Sequence, residues 1–255
     1  MNKTQQGSVS TAIQNGIATI TFYHPSHNSL PSKILAELVG AITSTGKKEE
    51  VKVIVLKSEG NRTFCAGASF DELTAIEDFE TGKTFFSGFA NVINACRKCP
   101  KLIIGRVQGK AVGGGVGVAS ATDYCLATKY AAVKLSELAI GIGPFVVGPA
   151  VARKVGESAM SQLAINATEW QSAEWAKNKG LYAEVYDSVE EMDAAIEVLA
   201  QKLTTSNPEA MRLLKQVFWQ GTAHWDALLA ERAAMSGELV LSDFTREAIA
   251  KFKAK

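Results

Sequence analysis

The 255-residue chain has no excess of charge of either sign: 27 basic residues against 26 acidic ones leave a net charge of +1. That balance removes the broad basic surface that nucleic-acid binding needs, and equally any general attraction to an anionic membrane. A phosphate-bearing ligand would have to be held by a local basic group. Long apolar runs are missing too. The longest, residues 138–152, carries two prolines and three glycines and is too short to cross a bilayer. The polar first ten residues lack the apolar segment of an export signal. A soluble cytoplasmic protein is the expectation. Histidine is scarce: His24, His27 and His224 all lie far in sequence from the loops described below. Each reads as a surface or packing residue, and no ordered serine–histidine hydrolytic pair is expected. The four cysteines, Cys65, Cys96, Cys99 and Cys125, have no spacing that implies a disulfide framework. Cys96 and Cys99 form a CxxC, but a zinc site would need two more ligands and there is no second CxxC or HxxxH. A redox CxxC belongs at a helix start, whereas this one closes a helix before Pro100. The thiols are read as incidental, and no metal site is expected.

What is present is an ordinary globular composition, 47% hydrophobic and 21% charged. Residues 8–14 and 17–22 are β-rich runs joined by Asn15-Gly16, a strong hairpin signal. Leu30, Ile34, Leu35, Leu38, Val39 and Ile42 recur at helical spacing. Residues 51–56 read as a buried strand, 57–67 as a loop, 83–97 as a helix and 102–107 as a strand. Short strands are expected at 123–128 and 132–135. Helical patterns then dominate, at 149–155, 157–165, 173–179, 189–204, 208–219, 226–237 and 243–252. Trp170, Trp175, Trp219 and Trp225 fall at helical positions and read as core or subunit contacts. The chain is therefore an α/β protein of repeated β–β–α units with a helical C-terminal region. No Pro- or Ser-rich linker marks a boundary, so one domain is expected over 1–255, with a core to about 190 and the helical part over about 191–255.

Two glycine-centred loops stand out. Phe64-Cys65-Ala66-Gly67-Ala68-Ser69-Phe70 follows a strand and precedes a short helical run. Gly109 to Gly117 also follows a strand and contains three consecutive glycines, Gly113, Gly114 and Gly115. Glycines at a helix start leave backbone N–H groups bare and aimed at an anion. A packing or flexible loop is the competing reading of each. A dinucleotide site is not expected: after Gly113-x-Gly115 or Gly115-x-Gly117, Val118 or Ser120 stands where the fingerprint needs Gly or Ala. Between Lys134 and Arg153 the only charged residue is Glu137, amid Leu135, Leu138, Ile140, Ile142, Phe145, Val146 and Val147. Folded inward, it would have its pKa raised toward neutrality by desolvation, as a carbon acid–base catalyst requires. Periodicity alone favours a solvent-facing glutamate at a strand end.

These segments together resemble the crotonase (enoyl-CoA hydratase/isomerase) superfamily. Phe64–Ala68 is similar to its FCAGAD segment, Gln108–Gly115 to G-x-A-x-G-G-G, and Ser136–Pro144 to P-E-x-x-x-G-x-x-P. Ala173–Ala176 with Lys179–Leu181 resembles A-x-E-A-x-x-x-G-L, and Asn28-Ser29-Leu30 resembles N-A-L. The resemblance implies a crotonase-like spiral of ββα repeats with a helical C-terminal trimerisation region, and a homotrimer or dimer of trimers. It implies an acyl-CoA substrate, with no cofactor beyond the CoA thioester itself and no metal. It assigns oxyanion-hole amides to Ala68 and Gly114, and the catalytic acid–base to Glu137. Substrate contacts are implied at Asn28, Leu30, Ala66, Gly67, Ser69, Phe70, Gly113, Gly117 and Pro144. Lys251 or Lys253 would meet CoA phosphates, of this or a neighbouring subunit.

Two departures bear on the reaction. Gly117 stands where many hydratases of that family carry a second Glu, and Ser69 where an Asp is usual. Hydration of a 2-enoyl-CoA, by Glu137 alone or with Asp71 or Glu72, and 3,2-enoyl-CoA isomerisation both remain. So do a bulkier acyl group, as in a methylglutaconyl-type hydratase, and a catalytically weak paralogue that only binds CoA thioesters.

Overall fold

The computed structural model describes residues 7–253. The first six residues of the polar start and the side chain of Lys253 lie outside the described ones. Strands β1 (Ser8–Gln14) and β2 (Ile17–Tyr23) form an antiparallel hairpin. Its turn residues Asn15 and Gly16 are both left-handed, at φ 51° and 80°, as a two-residue hairpin turn demands. Helix α1 (Ser32–Gly46) buries Ile34, Leu35, Leu38 and Ile42 along one stripe. Three β–β–α units follow. The first is β3 (Val53–Ser58), β4 (Thr63–Cys65), the short α2 (Phe70–Thr74) and α3 (Phe79–Lys98). The second is β5 (Leu102–Val107), β6 (Lys110–Val112) and α4 (Gly114–Ala121). The third is β7 (Tyr124–Thr128), β8 (Val133–Lys134), a 3-10 turn at Leu138–Ile140 and α5 (Gly148–Ile165). Then come α6 (Ala173–Asn178), β9 (Glu184–Tyr186), α7 (Val189–Thr204), α8 (Pro208–Phe218), α9 (Trp225–Leu239) and α10 (Asp243–Lys253).

Each of the three units contributes its first strand to one sheet and its second to another. The larger sheet runs β1-β2-β3-β5-β7-β9 and the smaller runs β4-β6-β8. Every pair of named strands after the initial hairpin is parallel. This is the expected spiral. The main core includes α1, α3, α4 and the inner sheet faces, around residues such as Phe22, Leu56, Phe64, Val92 and Val133. A second cluster lies where α7 covers the outer face of the large sheet, through Met192, Ile196 and Ala200 against Val53, Val55, Ile104 and Leu126.

Five features differ from the sequence expectation. The expected loop 57–67 contains β4, and the glycine loop after Gly109 contains β6 before α4 begins. Strand β9 was not anticipated. These strands are three residues each, too short to show a period, and they exist through parallel pairing with neighbours. Trp170 is not helical: it lies in the connection after α5, beside Gln171, which bridges Val133 of β8. The two helices expected on either side of Gly156 form one kinked element, with Gly156 at φ 78° and ψ 160°.

Candidate active site

The C-terminal ends of β4, β6 and β8 open side by side into one cavity of about 960 Å³. After β4 the chain passes through Gly67, at φ 89°. A Cβ there would meet the Val112 carbonyl oxygen at 2.8 Å and lie 3.6 Å from the Gly114 nitrogen, so only glycine lets the two loops abut. After β6 each glycine has its own steric reason. A Cβ on Gly113 would sit 2.8 Å from Glu137 Oε1, one on Gly114 would enter the Phe89 ring, and one on Gly115 would strike Cys65 at 2.7 Å. Gly113 donates its N–H to the Lys134 carbonyl at 2.8 Å, tying the end of β6 to the end of β8. The N–H groups of Ala68 and Gly114 have no protein acceptor among the described residues, and both residues line the cavity. Gly114 is the first residue of α4, whose N-terminus adds partial positive charge.

Glu137 follows β8 and opens the 3-10 turn, its carbonyl accepting from Ile140 and Ile142 N–H at 3.1 and 3.0 Å. The turn leaves part of the residue exposed but directs the carboxylate inward. Oε2 is buried with no hydrogen-bond partner. Burial pushes the carboxyl pKa up to about 7, with only its own backbone N–H pulling the other way. The solvent-facing reading of Glu137 is therefore wrong. Gly141, at φ 83°, closes the turn. A Cβ there would collide with Thr245 and Phe244, so glycine lets α10 pack on the turn that carries Glu137.

Nine of the sequence-predicted positions line this cavity: Ala66, Gly67, Ala68, Ser69, Phe70, Gly113, Gly114, Glu137 and Pro144. Asn28, Leu30 and Gly117 do not. The left-handed Asn28 is a brace: its Nδ2 donates to the Glu59 and Thr63 carbonyls at 2.9 Å each, and its Oδ1 accepts from His24 N–H. Leu30 is fully buried core, pairing with Ala68 through a bridge. Gly117 packs on Val147: a Cβ there would lie 2.4 Å from Val147 Cγ1. Ser69 caps α2 by accepting from Glu72 N–H. Glu72 itself is held by the N–H and hydroxyl of Ser32, at 2.8 and 2.7 Å. Asp71 lines the cavity, and so does Lys251 of the same chain. Sequence reasoning missed His24, His27, Ser29, Lys134 and Trp170, which also line it. His24 and Ser29 share a 2.9 Å hydrogen bond, so an ordered Ser–His pair does exist here. Burial lowers the His24 pKa against the pull of Glu72 and Asp71. The CxxC thiols are buried, and burial pushes Cys96 up to about 12. Among the described residues no group of three or more His, Cys, Asp or Glu side chains is placed to hold a metal.

The profile of the enoyl-CoA hydratase/isomerase family matches residues 12–255. The chain belongs to that family. A "Probable enoyl-CoA hydratase" of Bacillus subtilis is 28% identical over 250 residues, 97% of this chain and 96% of that one. The mitochondrial methylglutaconyl-CoA hydratase of Mus musculus is 32% identical over 198 residues, which cover 76% of this chain but 62% of the mouse protein. Among solved structures, an enoyl-CoA hydratase from Bacillus halodurans superposes with a TM-score of 0.88 at 19% identity, covering 95% of this chain and 99% of that one, which establishes the common fold.

Proposed function

We propose that this enoyl-CoA hydratase/isomerase-family enzyme moves a proton along an acyl-CoA, converting a 3-enoyl thioester to the conjugated 2-enoyl thioester with Glu137 as its one acid–base. The Glu137 carboxylate takes a proton from C2, and the C–H electron pair passes into a dienolate whose charge rests on the thioester oxygen. The N–H groups of Ala68 and Gly114 stabilise that oxygen without reorganising; losing one such donor typically costs about 10²–10³ in rate. The protonated Glu137 then returns the proton at C4, and the double bond moves to C2. A carboxyl pKa near 7 suits both halves of this transfer. CoA thioesters are the substrate, and the step needs no metal or redox cofactor.

The observation that carries this choice is Val147 in the space beside Gly117. A second carboxylate at 117 has no room, and Glu72 is occupied by Ser32. Hydration, which divides water activation and proton delivery between two acids, is left with Asp71 as a second group. The cavity-lining Asp71 and the methylglutaconyl-CoA hydratase relatives favour hydration as the second reading. The test is a paired assay with 3-hexenoyl-CoA and crotonyl-CoA. Isomerisation of the first should exceed hydration of the second by at least about tenfold, and the reverse ratio would select the hydratase. We further propose a homotrimer or dimer of trimers, because α8 leaves Leu213, Leu214, Val217 and Phe218 exposed, and a cytoplasmic setting, in keeping with four buried free thiols.

A further inference from the structure

One wall of the cavity carries a cation that the proton transfer does not use. Lys134 ends β8, three residues before Glu137, and lines the cavity with Thr168 and Trp170. Its ammonium lies 4.7 Å from the centroid of the Trp170 ring. Lys110, on the neighbouring strand β6, places a second ammonium 4.7 Å from the same centroid. The strands are parallel, with Ala111 opposite Val133 and Val112 opposite Lys134, so the two lysines stand on one face of the small sheet, Lys110 on its central strand and Lys134 on its edge strand. Among the described residues neither forms an ion pair. The remaining lysine on the wall, Lys251, is matched to Glu247 at 3.7 Å. Two like charges drawn to one indole repel each other, and each cation–π contact offsets only about 0.5–1 kcal/mol where solvent reaches it. A bound anion would relieve the repulsion.

Position in the sheet says which anion. The strand order is β4-β6-β8. The Ala68 amide follows β4 and the Gly114 amide follows β6, so a thioester oxygen held by both lies over those two strands. The carbon that exchanges its proton must lie against Glu137, beyond the end of β8. The acyl chain past that carbon therefore continues on the β8 side, where Lys134 and Trp170 stand, away from the His24–Ser29 rim beside β4. The raised Glu137 pKa arises from burial, with no lysine contributing. The Lys134 charge is thus not a partner of the base.

We propose that Lys134, supported by Lys110 and Trp170, binds a carboxylate carried by the acyl group, so that acyl-CoAs with an anionic acyl end are the preferred substrates. This rests on the acyl-CoA reading above. A lysine–carboxylate hydrogen bond in a partly enclosed site typically changes affinity about tenfold or more.

Calorimetric binding of glutaryl-CoA, hexanoyl-CoA and free CoA tests it; these ligands lack the double bond the reaction requires. The wild-type protein should bind glutaryl-CoA about tenfold tighter than hexanoyl-CoA. Lys134→Met should bring that ratio close to one, and Lys134→Arg should restore much of it. Equal affinities in the wild type, or a ratio unchanged by Lys134→Met, would overturn the proposal. Equal weakening of all three ligands by Lys134→Met would assign the lysine to the CoA phosphates and overturn it too. If neither acyl-CoA binds the wild type, the acyl-CoA reading itself fails and this inference with it.

Discussion

Glu137 presents a carboxylate oxygen to a cavity wall that offers it no donor. The folded state therefore holds its proton more tightly than the unfolded chain does, with the pKa moved from 4.5 to about 7. The sign follows from linkage. Below about pH 4.5 the group is neutral in both states and costs nothing. As pH rises from there through 7, ionising it in the fold becomes a penalty of up to about 3 kcal/mol, which levels off above 7. Glu137→Gln removes that penalty together with the base. The variant should lose at least about 10²-fold in activity, match the wild type in urea melts at pH 4, below the unfolded pKa, and exceed its stability at pH 8.5. Equal stabilities at pH 8.5 would show that the carboxylate is solvated. The inward turn of Glu137 was not legible from periodicity, because three-residue spacing around a 3-10 turn has neither a strand nor a helix period. Only its place in the P-E-x-x-x-G-x-x-P-like segment pointed to it. His24, Ser29, Lys134 and Trp170 carried no such signal, since parallel pairing brings them to the cavity from distant parts of the chain. Asn28 was singled out for a substrate role, but its side chain is spent on bracing the loops before β4.

The elements with a long period were readable at once. β5 and α7 begin and end where the pattern does, and the hairpin forms around Asn15-Gly16 as expected. The three-residue strands β4, β6 and β9 were not, because their stability is borrowed from neighbours. One ionic cluster holds a helix to the sheet in the same borrowed way. Asp123, just before β7, accepts from Ile103 N–H at 2.8 Å and Trp219 Nε1–H at 2.9 Å, and pairs with Lys215 of α8 at 2.8 Å. Both ionic side chains are 3% exposed. Lys215 also donates to the Lys101 carbonyl. Asp123→Ala strands a buried ammonium and should cost about 3–5 kcal/mol in denaturant unfolding. Lys215→Met should cost less, since Asp123 keeps two N–H donors. A loss below about 1 kcal/mol for Asp123→Ala would show that α8 is not anchored there.

At the scale of the molecule, the spiral brings three strand ends to one cavity, and α10 folds back to cover the turn of Glu137. The C-terminal helices thus serve the site of their own chain, and Lys251 reaches that cavity directly. The apolar face left on α8 calls for a partner, and a homotrimer would cover it. Light scattering should give three or six times the 27.2 kDa chain mass, and a monomer would leave that face unexplained. The central claim is that one buried carboxylate performs the chemistry alone. The most direct measurement is the pH dependence of kcat/KM for isomerisation of 3-hexenoyl-CoA. A single ascending limb with an apparent pKa near 7 and a plateau above it is the predicted result. A bell-shaped profile, with a second group needed in its protonated form, would contradict it.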